Sequence, residues 1–260
     1  MRRRSRLPEL MDDHTSDRPR LFATLDQFRI TNRLFSRSRS LLTRHLILDM
    51  EMLQRGALER GAAARGAEER GTFTVLEIGA GGCDVAIWLA RACRRRGIQV
   101  HITCIDNDPR IARHARRRIM ARGVSDVITF LQFSAFDVEQ LPDYDYVVCG
   151  NTLHHFTGEQ ARTLIGLMRT KAARKFVASD LERSPLAWIA YWAFSTIFLH
   201  GSFARSDGLL SIARAFLRSE LQALMPPGMG VLPIVRRLFP SRLSVVGAGI
   251  GSTGARGTRP

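Results

Sequence analysis

The sequence predicts an α/β fold: a mostly parallel open sheet with helices on both faces and an antiparallel last strand. Three observations lead there. From residue 72 onward, strand-like apolar runs alternate with helical patterns. A glycine-rich turn, Gly79-Ala80-Gly81-Gly82, joins the first run to the first helix. An acid, Asp106, ends the second run. With 260 residues, 45% of them hydrophobic, the chain can bury one such core, and most of it is expected to be globular rather than disordered.

Residues 1–20 are polar and expected to be disordered. Leu21, Leu25, Phe28, Leu34, Phe35, Leu41, Leu42, Leu46 and Leu53 recur at three-to-four spacing, which predicts a helical cap over residues 21–58. The Gly/Ala/Arg stretch over residues 59–71 reads as a linker, and residues 72–248 as the main domain. There, strands are predicted over 72–78, 99–105, 127–133, 144–150 and 174–179. Helices follow over 84–96, from Pro109, and from a capping box made by Thr157 and Gln160. After Pro185 the run LAWIAYWAFSTIFL, at fourteen residues, falls short of the roughly twenty that span a bilayer. It is expected to belong to a helical lid insert over residues 184–208. A helix over 209–224 and two strands, 231–238 and 242–246, close the domain, and residues 249–260 are expected to be disordered.

The net charge is +15, and Lys171 and Lys175 are the only lysines. Residues 1–44 carry eleven arginines against five acids, and residues 91–122 carry ten against Asp106 and Asp108. The second cluster falls on two predicted surface helices and is read as a solvated face in preference to a nucleic-acid site, with peripheral contact to an anionic membrane as the alternative. Cys83, Cys93, Cys104 and Cys149 form no C-x-x-C pair. They read as buried hydrophobes in a reducing cytoplasm, with no metal site expected. The basic start MRRRSR leads into no apolar run, so no secretory signal is expected.

The strand–glycine–helix unit around Gly79 presents helix-terminal amides to a crevice, as nucleotide cofactors require. A dinucleotide site asks for a small residue where Asp84 stands, and a carboxylate beside a pyrophosphate is unfavourable. S-adenosylmethionine (SAM) carries an ammonium and a sulfonium instead, so nearby acids suit it. Glu77 can hold the ammonium, and Asp106 can accept from both ribose hydroxyls. A structural alternative for Asp106 is capping of the next helix.

The segments Glu77-x-Gly79-x-Gly81-Gly82, Asp106 and YDYVVCGNTLHHF over residues 144–156 resemble the class I SAM-dependent methyltransferases, in particular the ubiquinone/menaquinone-type and bacterial small-molecule O-methyltransferase branch. The resemblance implies a Rossmann-like domain, SAM as cofactor, and contacts from Glu77, Gly79, Ala80, Gly81, Asp106, Asn107, Ser134, Ala135 and Asn151. Two departures stand out. Cys83 replaces the family's third loop glycine, and Ser134 replaces the acid that normally meets the adenine amino group, with Asp137 as an alternative.

His154 and His155 follow the fourth strand and are the candidate catalytic bases; their alternative is ordinary packing or a carbonyl hydrogen bond. Asp180, Trp188, Trp192, Asp207 and Arg214 are the candidate substrate-binding residues, although the charged three could equally be salt-bridge partners. The expected partner is a small apolar or aromatic acceptor: a phenol, quinol or polyketide-like compound. A non-catalytic or nucleic-acid-binding protein on the same fold is the rival, and an NAD-dependent enzyme is disfavoured by Asp84.

Overall fold

The computed structural model describes residues 1, 3–61, 71–225 and 233–250. Seven strands, β1 (Phe73–Ile78), β2 (Val100–Asp106), β3 (Ile128–Gln132), β4 (Tyr144–Gly150), β5 (Ala172–Leu181), β6 (Ile234–Leu238) and β7 (Arg242–Ala248), form one sheet in the order β3-β2-β1-β4-β5-β7-β6. The first five are mutually parallel, and β7 runs antiparallel to both neighbours, β5 and β6. This is the Rossmann-like arrangement expected. The strand order reverses between β1 and β4, so the loops after these two strands diverge and open a crevice at their carboxyl ends.

The sheet is covered on both faces, which explains the near-continuous apolar runs of its central strands. On one face α4 (Asp84–Arg94) and α5 (Pro109–Ala121) pack over β1–β3, burying Leu89, Ala115 and Ile119 with Ile102 and Tyr146. On the other, α6 (Gly158–Lys171) packs Leu164, Ile165 and Met168 against Val147, Phe176 and Val245. The capping box at Thr157 and Gln160 is present.

The N-terminal helices are α1 (Arg18–Phe35), α2 (Ser38–Leu42) and α3 (Leu48–Gly61), the last two made continuous by a π-turn over Thr43–Ile47. They dock on the sheet rather than standing apart: Leu42, Leu46, Ile47 and Met50 join the core, and Asp49 accepts from Tyr146 Oη at 2.7 Å. The expected linker falls mostly in residues 62–70, outside the described residues, as does most of the expected tail.

The disorder expected over residues 1–20 is not what the structure shows. The stretch from Ser5 to Ser16 straps the crevice, because charged groups of the main domain bind its backbone. Asp207 accepts from the amides of Leu10 (3.0 Å) and Met11 (2.9 Å). Arg110 donates to the carbonyls of Met11 (2.8 Å) and Asp13 (2.7 Å) and to Ser16 Oγ. Arg110 is thus buried rather than part of a solvated face, its charge offset by Asp108 at 2.7 Å.

Beyond β5, α7 (Pro185–Phe198) starts at Ser184, whose hydroxyl accepts the Ala187 amide. The helix expected over 209–224 is two helices, α8 (Ala204–Arg214) and α9 (Arg218–Ala223), because Phe216 leaves the helical path to bridge Glu182 and its carbonyl accepts from the Arg183 amide. No helix among the described residues is long and apolar enough to cross a membrane.

Candidate active site

A cavity of about 640 Å³ occupies the crevice between the β1 and β4 loops, within the size range of small-ligand sites. One part is polar. Glu77 is the penultimate residue of β1, and after Ile78 the chain turns sharply through Gly79 (φ +67°) and Gly81 (φ +49°). A β-carbon at Gly79 would overlap the Thr152 hydroxyl, so this glycine lets the β1 and β4 loops meet. Gly81 donates its amide to Asp106 Oδ2 at 2.9 Å, and Asp108 donates to Oδ1 at 3.1 Å. Burial raises the Asp106 carboxyl above the usual carboxylate range, against the pull of these amides. Burial raises Glu77 further, to about 8, although it accepts the Ala86 amide at 3.1 Å.

Of the residues expected at a cofactor, Glu77, Gly79, Ala80, Gly81, Asp106, Asn107, Ser134, Ala135 and Asn151 all line this one cavity. Asp108 caps α5 through the Arg110 amide; Asp106 does not. Ser134 Oγ accepts the Phe136 amide, and Asp137 stands off the cavity lining. Cys83 holds the left-handed conformation (φ +57°) that a glycine usually supplies, yet its side chain is fully buried and does not line the cavity. Asp84 pairs with Arg118, which also donates to the Gly82 carbonyl at 2.6 Å. The guanidinium offsets the carboxylate, so Asp84 repels an anion less than its bare charge implies.

The other part carries the histidines. Asn151 (φ +54°) turns the chain after β4, and a short helical turn, Leu153–His155, presents both imidazoles to the cavity. Their rings lie 4.4 Å apart. His154 is buried, its Nδ1 2.7 Å from Asp180 Oδ1, while its amide donates to Oδ2 of the same carboxylate. Burial would raise Asp180, but the His154 contacts outweigh it and hold the carboxyl down at about 2. His155 Nδ1 lies 3.2 Å from Asp12 Oδ2. Burial pushes His155 down, yet Asp12 and Glu9 prevail and leave it above the ordinary histidine value.

Asp180 therefore stands behind His154 rather than in the cavity wall. Asp207 anchors the strap, and Arg214 donates to the His155 carbonyl at 2.9 Å and pairs with Asp12 at 3.4 Å; neither lines the cavity. Trp188 and Trp192 do not line it either, and Trp192 is 46% exposed. The α7 residues that do are Ala187, Ala190, Tyr191 and Phe194, one stripe at helical spacing. Sequence reasoning missed the strap residues Glu9 and Asp12 and also Arg242, which donates to Asn151 Oδ1, whereas Phe28 and Phe35 line the cavity from the helical stretch 21–58 that the sequence offers as the wall opposite the lid. The three-to-four pattern that included Phe28 and Phe35 was the available signal for α1; for Glu9 and Asp12 there was none.

A methyltransferase-domain family model matches residues 75–188. Among solved structures, the chain is similar to magnesium protoporphyrin IX methyltransferase from Synechocystis with bound S-adenosylhomocysteine (13% identity over 77% of this chain and 83% of that one, TM-score 0.46). It is also similar to an O-methyltransferase family protein from Burkholderia thailandensis (14%, 79% and 61%, TM-score 0.48). A SAM-dependent methyltransferase from Aquifex aeolicus is similar as well (14%, 77% and 96%, TM-score 0.48). No curated protein matches the sequence.

Proposed function

We propose that this chain, a class I SAM-dependent methyltransferase, methylates an oxygen of a small apolar or aromatic acceptor such as a phenol, quinol or polyketide-like compound. The observation that carries the proposal is the single cavity in which the glycine loop, Glu77 and Asp106 share walls with two carboxylate-held histidines and an aromatic lining from Phe28, Phe35, Tyr191 and Phe194. The polar part suits SAM. Glu77 faces the ammonium, Asp106 keeps lone pairs for the ribose hydroxyls, and the Ser134–Ala135 segment borders the adenine. Residues 184–208 act as the lid over an acceptor held against α1.

The reaction asks little covalent work of the protein. The acceptor hydroxyl passes its proton to Nε2 of His154 or His155, its oxygen forms a bond to the methyl carbon, and the carbon–sulfur bond breaks to leave neutral S-adenosylhomocysteine. Charge is annihilated, so alignment in a dry cavity supplies most of the acceleration. The test is calorimetry with SAM and S-adenosylhomocysteine. The native protein should bind both, and Asp106→Ala should bind about 10- to 100-fold more weakly, as expected on losing hydrogen bonds to a charged group. Product masses from a panel of phenols and quinols then identify the acceptor. A native protein that binds neither nucleoside would end the proposal.

A further inference from the structure

Glu9, His154 and His155 come from two ends of the chain, yet one ligand atom from each falls within 4.8 Å of the other two. His154 Nε2 lies 3.6 Å from Glu9 Oε1, and His155 Nε2 lies 4.0 Å from Glu9 Oε2. Ligands about 2.0–2.1 Å from a tetrahedral ion are about 3.3 Å apart, so modest contraction would close the set on a metal. The backing is what makes this more than a cluster. His154 Nδ1 is held by buried Asp180 at 2.7 Å and His155 Nδ1 by Asp12 at 3.2 Å. In metal sites, a carboxylate on one ring nitrogen fixes the tautomer and leaves the other nitrogen free to ligate. Both histidines here show that arrangement, and both Nε2 atoms turn toward the same carboxylate.

Glu9 adds a second, energetic reason. Its side chain is 1% exposed, and its partners are the Ser211 hydroxyl at 2.9 Å, the His154 and His155 imidazoles at 3.6 and 4.0 Å and the Arg214 guanidinium at 3.8 Å, so none of these three basic groups comes within hydrogen-bonding distance of it. A buried carboxylate needs stronger compensation than that, and Oε2 faces His155.

We propose that Glu9, His154 and His155 bind a divalent transition metal of zinc-like preference, with a fourth position open to the cavity that all three line. This rests on the methyl-transfer proposal for its role: the open position would take the acceptor oxygen. With both Nε2 atoms ligating, the histidines no longer take the acceptor proton: the O–H gives it to solvent on binding, and the oxygen attacks the sulfonium methyl with loss of S-adenosylhomocysteine. Asp12 and Asp180 are positioning residues.

The test uses tag-free full-length protein, stripped with chelator and titrated with cobalt(II) chloride, then zinc chloride. One equivalent of cobalt should bind with the visible absorption of a four- or five-coordinate ion, and zinc should bleach it. Glu9→Gln and His155→Ala should each weaken cobalt binding at least 100-fold, and Asp12→Asn about 10- to 100-fold. All three should still bind SAM, which shows that they fold. Cobalt uptake by the native protein only at millimolar concentration, or native-like cobalt affinity in Glu9→Gln and His155→Ala, overturns the site. Stoichiometric cobalt in a protein that binds no SAM would leave the ion site standing and remove the methyl-transfer role instead.

Discussion

At the scale of single residues, the proposed contact of Glu77 with the SAM ammonium would couple cofactor binding to pH. Burial raises its carboxyl to about 8, so near neutrality the empty site holds it largely protonated. An ammonium against it favours the carboxylate, so binding must release a proton below pH 8. SAM affinity should therefore climb as pH rises from about 6 to about 8, by at most tenfold per unit, the equivalent of about 1.4 kcal/mol. Calorimetry in buffers of different ionisation enthalpy should show this proton release, and Glu77→Gln should lack it. Equal release in both proteins would place the ammonium away from Glu77. Glu77, Gly79 and Asp106 were legible because each sits at a strand end fixed by an unmistakable apolar run. Cys83 was legible as a departure but not in its consequence: only the observed φ of +57° and the complete burial show that the thiol stays out of the cavity.

At the scale of elements, if the acceptor lies in this cavity as proposed, the cavity-facing stripe of α7 would decide which side chains meet it. Tyr191 is fixed by donating to the Ala204 carbonyl at 2.7 Å, and its ring packs where Gly208 lacks a side chain. Replacing Tyr191 or Phe194 with alanine should raise the acceptor KM about 10- to 100-fold, the worth of burying an aromatic ring, and leave SAM affinity unchanged. Trp188→Ser and Trp192→Ser should leave the acceptor KM close to native. Steady-state kinetics on the four variants separates the two pairs, and the reverse ranking would move the acceptor to the other side of α7. The sequence could show that this helix exists but not its rotation. Apolar residues run all the way round it, so no polar face sets the phase. The parallel strands, by contrast, were readable because burial on both faces writes itself into composition. The break between α8 and α9 was hidden, since it depends on a bridge from Phe216 to Glu182 far upstream.

At the scale of the whole molecule, the strap shows why low hydrophobicity did not mean disorder. Its backbone is held by Asp207 and Arg110, roughly a hundred or more residues away, and local composition carries no trace of partners that distant. Asp207 also gives the strap a pH dependence. Burial raises its carboxyl to about 6, more than the Leu10 and Met11 amides lower it. The folded state therefore binds this proton more tightly than the unfolded chain, whose carboxyl titrates near 3.8. The contribution of Asp207 to stability is fully present below the unfolded value and is lost as pH rises through about 6. Asp207→Asn cannot titrate, so the stability of the native protein minus that of the variant should fall between about pH 4 and pH 7, by no more than about 3 kcal/mol. Denaturant unfolding of both proteins across that range measures the difference directly, with the titrations common to both cancelling. A difference that stays flat, or grows with pH, would mean that the charged carboxylate is the form that holds the strap, and that the two amides rather than burial govern Asp207.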